Sequence, residues 1–338
     1  MSQTLPSHMR ALEISNGALA LAQLPLPALG AGEVLIRVAY AGVNRADVMQ
    51  LEGNYAPPEG ASPLPGLEVS GWVAAMGDNV NGFTLGQEVC ALLSGGGYAE
   101  YVVTPASLAL PLPEGITLRE AASLPEAAAT SIMALVREGR LKRGERVLIH
   151  GGSSGVGLLM GQIARSYDAE IFATVGSAEK ASFIAALGMT PLHYRERPFH
   201  EQLLAATNNQ GVDLIIDTLG GPQLANHLRC LRRGGRMVSL AMLEGSEIPA
   251  GTKMTRLMMH HVQWSGATLR SRSYAEKAEY MRIVFSHVWP KLVWPDPSTG
   301  GIKPIIDTVF ALADAQKALN RMQERLHMGK ILLEVTPE

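Results

Sequence analysis

The sequence predicts an α/β protein in which a strand-rich, turn-rich segment is followed by a doubly wound parallel sheet. Three observations carry this reading. Residues 1–125 are cut by Gly and Pro into short apolar and β-branched runs. From about residue 146, short apolar runs alternate with helical ones, the pattern of a parallel sheet covered on both faces. One of these alternations, 147–164, is a strand, a glycine-rich turn and an amphipathic helix in succession.

In chain order, EVLIRVAYAGV (33–43) and EVSGWVAAMG (68–77) read as strands, and NYAPPEGASPLPG (54–66) is too rich in Pro and Gly for regular structure. LSGGGYAEYVVTP (93–105) reads as a glycine loop feeding a strand. Residues 117–141 are rich in Ala and Leu and predict helix, broken at Pro125. Strands follow at 146–152, 169–176, 212–221 and 235–242, with helices at 156–168 and 178–188, the second closed by Gly188. Residues 305–325 contain a helical segment, and KILLEV (330–335) is a short strand.

At about 100–200 residues per domain, 338 residues suggest two domains. Apolar residues make up 47% and charged residues 18%, against a usual ~25%, which excludes intrinsic disorder. A net charge of -2 offers no basic excess for nucleic acid. Cys90 and Cys230 form no disulfide framework and no CxxC site, which fits a reducing compartment. No apolar run approaches the ~20 residues that span a bilayer, and MSQTLPSHMR lacks the apolar core of a signal peptide. The expectation is a cytoplasmic protein without a membrane partner.

VLIHGGSSGVGLLMGQIA (147–164) is the strongest local feature. Gly152, Gly155 and Gly157 let backbone N–H groups approach a pyrophosphate, and the helix N-terminus adds its positive dipole end. The match to GxGxxG is imperfect: with Gly152 and Gly157 as the outer glycines, Ser154 stands where the second belongs. The alternative is an ordinary turn in a doubly wound sheet. The next strand ends in ATVGSAEK (173–180). An acid that accepts the ribose hydroxyls of NAD would stand near Gly176 and Ser177. A small hydroxyl and Lys180 accept a 2′-phosphate instead, so the sequence favours NADPH over NADH. Lys180 can equally be a solvated lysine, and Glu179 can point toward the ribose.

These residues bring out a likeness. The chain resembles the medium-chain dehydrogenase/reductase superfamily, and within it the zinc-free NADPH:quinone oxidoreductases of the zeta-crystallin type. The motifs are AGVNRADVMQLEGNYAPP (41–58), PLPGLEVSGWV (63–73), LLSGGGYAEYVV (92–103), AASLPEAAATS (121–131), VLIHGGSSGVG (147–157), TVGSAEK (174–180), DTLGG (217–221) and GKILLEV (329–335). It is especially similar to a branch carrying NRAD, PEA and LRSR segments, the last at 269–272. The resemblance implies a GroES-like catalytic domain from 1–125 and 305–338, a Rossmann NADPH-binding domain from 126–304, and a homodimer or homotetramer. Zinc-dependent relatives carry a Cys where this chain has Asn44 and a His where it has Leu67. A zinc site needs three or four N, S or O ligands, and the expectation is catalysis without a metal.

Without zinc, alcohol oxidation loses its Lewis acid, whereas quinones and unsaturated carbonyls are already electrophilic. The reading is therefore an NADPH-dependent quinone reductase. The alternatives are an enone or enoyl reductase on the same scaffold, or a non-catalytic NADPH-binding protein. The resemblance places Asn44, Tyr55 and Thr130 at the substrate or nicotinamide. Asp47 can orient Arg45 or cap a helix as readily as touch ligand. Tyr55 can donate to a carbonyl oxygen or simply pack on Pro57 and Pro58; Asn44 can be a turn residue and Thr130 a helix cap. No residue stands out as a general acid. For the cofactor the resemblance selects Ser154, Gly155, Val156, Gly176, Ser177, Lys180 and Tyr194, with Leu219, Gly220, Ala241 and Met242 at strand ends, together with Asn44, Thr130 and Lys330. Tyr194 can instead be a core residue at a strand end, and Lys330 plain structure.

Overall fold

The computed structural model describes residues 5–292 and 301–337. The chain divides into two compact units, one from Met1–Ala129, Arg270–Val293 and Pro304–Glu338, the other from Thr130–Leu269 and Trp294–Lys303.

The second unit is built on a six-stranded parallel sheet. Its spatial order is Thr190–His193, Glu170–Val175, Arg146–Ile149, Val212–Asp217, Leu231–Ser239, Gln263–Gly266. Numbered along the chain this is 3-2-1-4-5-6, the order of a Rossmann sheet, with its reversal beside the glycine-rich turn. The strands read as continuous apolar runs because both faces are covered: on one, Leu148, Phe172, Leu192 and Ile215 pack with Leu203 and Leu228 of flanking helices, and on the other the alternate residues Val147, Ile171 and Ile216 are buried. The expected helices appear at Gly155–Arg165 and Ala178–Ala186. The region 117–141 divides into Leu118–Ala121, a helix that restarts at Pro125 and runs to Ser131, and a π-helical continuation over Ile132–Glu138.

The first unit centres on the long strand Glu33–Val43, which pairs antiparallel with Glu68–Met76, Tyr101–Pro105 and Lys330–Glu334. Ile306–Ala311 lies parallel to the last of these, and Glu88–Leu92 continues the sheet beyond Glu68–Met76. Strand periodicity sends Ile331 and Leu333 into one core with Val34, Ile36, Val38 and Val69. Leu332 faces the other way and meets Leu118 and Ala122. Both faces of the terminal strand are buried, which is why KILLEV carries an unbroken apolar run.

Three features depart from the sequence reading. The parallel sheet includes two four-residue strands, Thr190–His193 and Gln263–Gly266, beyond the four expected. The hairpin His8–Ser15/Ala18–Pro25 turns through Asn16 and Gly17, both with positive φ (50° and 74°), a strong short-range signal that the reading passed over. Residues 270–292 belong with the first unit, whereas the expected boundary placed them in the second. Their anchors are polar: Arg270 Nε donates to Ser94 O (3.1 Å), Lys277 Nζ to Ser94 Oγ (2.7 Å) and Trp289 Nε1 to Pro111 O (2.9 Å). Hydrophobic periodicity carries no trace of such partners.

Where strands cross closely, glycine is required. A Cβ on Gly71 would run into the carbonyl of Arg37 on the neighbouring strand. Gly71→Ala is expected to destabilise the protein by about 1–3 kcal/mol, the usual cost of overpacking, measurable by denaturant unfolding.

Candidate functional site

The glycine-rich turn joins the strand Arg146–Ile149 to the helix Gly155–Arg165. Ser154 is the N-cap: its Oγ accepts from Gly157 N (3.0 Å) and donates to Gly151 O (2.8 Å). The hydroxyl is thus committed to the turn. The amides of Gly155 and Val156 make no hydrogen bond among the described residues, as expected of the first turn of a helix. Side chains have no room here: a Cβ on Gly157 would meet the Gly151 carbonyl. An eleven-residue helix presenting free amides behind a glycine cradle fits a pyrophosphate.

At the end of the next strand, Ser177 caps the helix Ala178–Ala186, its Oγ accepting from Lys180 N (3.3 Å). Tyr194 is brought to the same spot, since a Cβ on Gly176 would lie 2.6 Å from the Tyr194 hydroxyl. Gly176, Ser177, Lys180 and Tyr194 therefore form one cluster, and Tyr194 is 42% exposed rather than a core residue.

The strand Val212–Asp217 ends in a turn held by its own last residue. Asp217 Oδ1 accepts from Leu219 N (2.8 Å) and Gly220 N (3.2 Å), and Oδ2 from Ser239 Oγ (2.8 Å). Gly220 packs against Met242, whose side chain is exposed, and Ala241 precedes it half-buried. Behind this turn lies a group the sequence did not reveal. His150 Nε2 and His227 Nε2 are 2.9 Å apart, His150 Nδ1 meets Thr174 Oγ1 (3.2 Å), and Asp217 is 3.8 Å from His227. Burial holds both imidazoles below the ordinary histidine range, with their mutual repulsion adding to the effect on His150. One ligand atom from each of the three residues lies within 4.8 Å of the others, a spacing that would admit a metal ion, although hydrogen bonds already engage these groups.

In the first unit, Asn44 follows the strand Glu33–Val43 and Glu68 opens the strand Glu68–Met76. Lys330 opens the terminal strand. Lys330 Nζ donates to Asn44 Oδ1 (2.7 Å), to Val43 O (3.1 Å) and to Glu68 Oε1. Asn44 Nδ2 also donates to Glu68 Oε1 (3.0 Å). An ammonium has three hydrogens, and three acceptors take them. This corrects the expected cofactor role of Lys330, because no donor is left for a ligand and the residue is 4% exposed. Asn44 keeps its position beside the pair, but its amide is engaged there. Asp47 is fully buried; its carboxylate accepts from Asn44 N (2.7 Å), Tyr98 OH (2.9 Å) and Gly66 N (3.1 Å). Burial nevertheless pushes it up to about 6.

Tyr55 sits half-buried in the Pro-rich segment that the sequence left irregular. Its carbonyl accepts from Arg270 (3.0 Å), and the guanidinium lies 5.4 Å from its ring. Arg270 also donates to Gln50 Oε1 (2.8 Å), so the LRSR segment fixes the Tyr55 loop. Thr130 lies half-buried in the helix Pro125–Ser131. One turn earlier on that helix is Glu126, which the sequence reading passed over. Its backbone N–H donates to Glu68 Oε2 (2.9 Å). Burial, reinforced by the Glu68 carboxylate, pushes the Glu126 side chain up to about 8. Only the PEA motif marked this residue, and a motif carries no information about its electrostatic surroundings.

Comparison with known proteins defines the class. Residues 30–114 match the alcohol dehydrogenase GroES-like domain and residues 155–286 the zinc-binding dehydrogenase family. The chain is 29% identical to quinone oxidoreductase of Rattus norvegicus, over 91% of each chain. It is 30% identical to a phenolphthiocerol/phthiocerol polyketide synthase subunit of Mycobacterium tuberculosis over 90% of its own length, but spans only 14% of that protein. Among solved structures it is similar to the quinone oxidoreductase of Thermus thermophilus, described also in complex with NADPH. The TM-score is 0.79 and the identity 29%, covering 97% of this chain and 100% of the other. The CurK enoyl reductase matches with a TM-score of 0.83 and 27% identity, covering 97% of this chain and 99% of the other. The fold and the site together define an oxidoreductase built from a GroES-like unit and a Rossmann-type unit. The chain belongs to the medium-chain dehydrogenase/reductase superfamily.

Removing one partner of a buried ion pair leaves the other uncompensated. Lys330→Met is therefore expected to destabilise the protein by about 3–5 kcal/mol, and the double variant with Glu68→Met by less. Thermal melts of the three proteins check the order.

Proposed function

We propose that the protein is an NADPH-dependent, zinc-independent quinone reductase. The observation that carries it is the end of the strand Glu170–Val175. There Gly176, Ser177, Lys180 and Tyr194 converge at the position where an NAD-binding site of this fold presents an acid. Gly155 and Val156 would receive the pyrophosphate on their free amides. Leu219, Gly220, Ala241 and Met242 stand at the carboxyl ends of the next strands, where this sheet type binds the rest of a dinucleotide. When bound, the cofactor supplies a hydride. The chain's own part is to orient the acceptor, for which Tyr55 offers a hydroxyl and an aromatic face and Thr130 a further hydroxyl, while Asn44, its amide engaged by Lys330 and Glu68, positions rather than contacts.

Zinc independence is supported by the donor set. Leu67 is apolar and 1% exposed, and the Asn44 amide is engaged with Glu68 and Lys330. Neither offers a metal the thiolate or imidazole a zinc site uses. A second reading, reduction of enones or enoyl thioesters, is favoured by the likeness to the CurK enoyl reductase.

The test follows oxidation of NADPH and NADH with quinones and 2-alkenals, with EDTA present. NADPH-selective turnover of quinones, unaffected by EDTA, is expected. Lys180→Ala should raise KM for NADPH about tenfold to a hundredfold, the worth of a hydrogen bond to a charged group, and leave that for NADH unchanged. Equal use of NADH overturns the cofactor assignment, and turnover of 2-alkenals alone selects the second reading.

A further inference from the structure

We propose that Glu126 is the proton donor that accompanies hydride transfer. The inference rests on the reductase reading above and adds the acid that the sequence did not single out.

The geometry carries it. The Glu126 backbone N–H donates to Glu68 Oε2 (2.9 Å), and Lys330 and Asn44 hold the other Glu68 oxygen, so a carboxylate is fixed beside Glu126; the further charges that bear on it are those of Lys330, Lys277, Asp47 and Arg270. The hydrogen bonds of every neighbouring cation go elsewhere. Lys330 is taken by Glu68, Asn44 and Val43 O. Lys277 Nζ donates to Ser94 Oγ (2.7 Å) and Arg270 O (2.8 Å). Arg270 reaches Ser94 O, Tyr55 O and Gln50 Oε1. Glu68 spends one oxygen on Lys330 and Asn44 and the other on the Glu126 backbone. The Glu126 carboxyl oxygens take no hydrogen bond among the described residues, and the side chain is half-buried.

An acid beside a fixed carboxylate, with no cation bonded to it, keeps its proton at neutral pH; here the group reaches about 8. Glu126 and Thr130 are four residues apart on one helix and share a face. Tyr55, whose hydroxyl is raised by burial and by Glu126 itself, lies within range of the same charge. Tyr55 and the acid thus bear on one another within the first unit.

The step balances. The reduced nicotinamide dinucleotide is the source of the hydride and its two electrons. The Glu126 O–H bond breaks, and its proton joins the carbonyl oxygen of a quinone, completing the hydroquinone. In an enone it joins the α-carbon while the hydride adds at the β-carbon. The resulting carboxylate regains a proton from water.

The experiment measures kcat against pH for wild type, Glu126→Gln and Glu126→Asp, with NADPH affinity by fluorescence and thermal melts alongside. Wild-type kcat is expected to fall about tenfold per pH unit above about 8, where Glu126 ionises. Glu126→Gln should lose about a hundredfold or more in kcat, keep NADPH affinity within about twofold, and lack the alkaline limb. Glu126→Asp should restore the limb. Protonation of Glu126 in the fold stabilises it fully below the unfolded value of 4.5 and no longer does so once pH rises through about 8. The glutamine variant should therefore gain in melting temperature relative to wild type as pH rises across that window. A wild-type kcat flat through this range, or a glutamine variant with unchanged rate and limb, overturns the proposal and leaves the reductase reading standing. A wild type that binds NADPH but reduces neither quinones nor enones overturns both. Should the glutamine variant not fold, the wild-type limb and its solvent deuterium isotope effect decide.

Discussion

Much of the first unit depends on one buried charge. Lys330 enters the core at the start of the terminal strand and meets Glu68, with side-chain exposures of 5% and 0%. Taking two charges out of water is costly, and such a pair persists only when its remaining donors and acceptors are satisfied. Asn44 and the Val43 carbonyl supply that satisfaction. The pair therefore ties together three strands that lie far apart in the sequence. It also fixes Glu68 as an anion at a defined place.

The fixed anion shapes its surroundings. Its second oxygen holds the backbone at the start of the helix Pro125–Ser131, and its charge opposes ionisation of Glu126 on that helix. On the other side of the cluster, Arg270 and Lys277 are buried cations bonded to neutral oxygens. Their work is to hold the Tyr55 loop and the 270–292 segment, which gives the LRSR motif a physical role. Charge placement in this unit is thus set by what each ion is bonded to, not by how many ions are present.

The sequence displayed the local physics well. Four of the six Rossmann strands, the helices at Gly155–Arg165 and Ala178–Ala186 and the break at Pro125 follow from turn and period rules, whereas the four-residue strands Thr190–His193 and Gln263–Gly266 are too short to stand out. The charge cluster was illegible because its partners are tertiary. Lys330 looks like a tail lysine until Glu68, 262 positions away, is placed beside it. His150 and His227, 77 positions apart, meet only once a helix has packed against the sheet. Glu126 sits in an Ala-rich helix whose pattern says nothing of the carboxylate next to it. The attachment of residues 270–292 is hidden for the same reason: their anchors to Ser94 and Pro111 are hydrogen bonds rather than an apolar stripe.

The terminal strand's position has a consequence for the order of assembly. Glu33–Val43 can find Glu68–Met76 and Tyr101–Pro105 early in synthesis, but its remaining edge is filled only by Lys330–Glu334. Until then that edge is an open ladder of unpaired amides, and Glu68 is a carboxylate waiting for its cation. The six strands of the parallel sheet, by contrast, all lie between residues 146 and 266 and are complete well before. On the ribosome the second unit can close while the first is still exposed, which makes the first the vulnerable partner for chaperones and for aggregation.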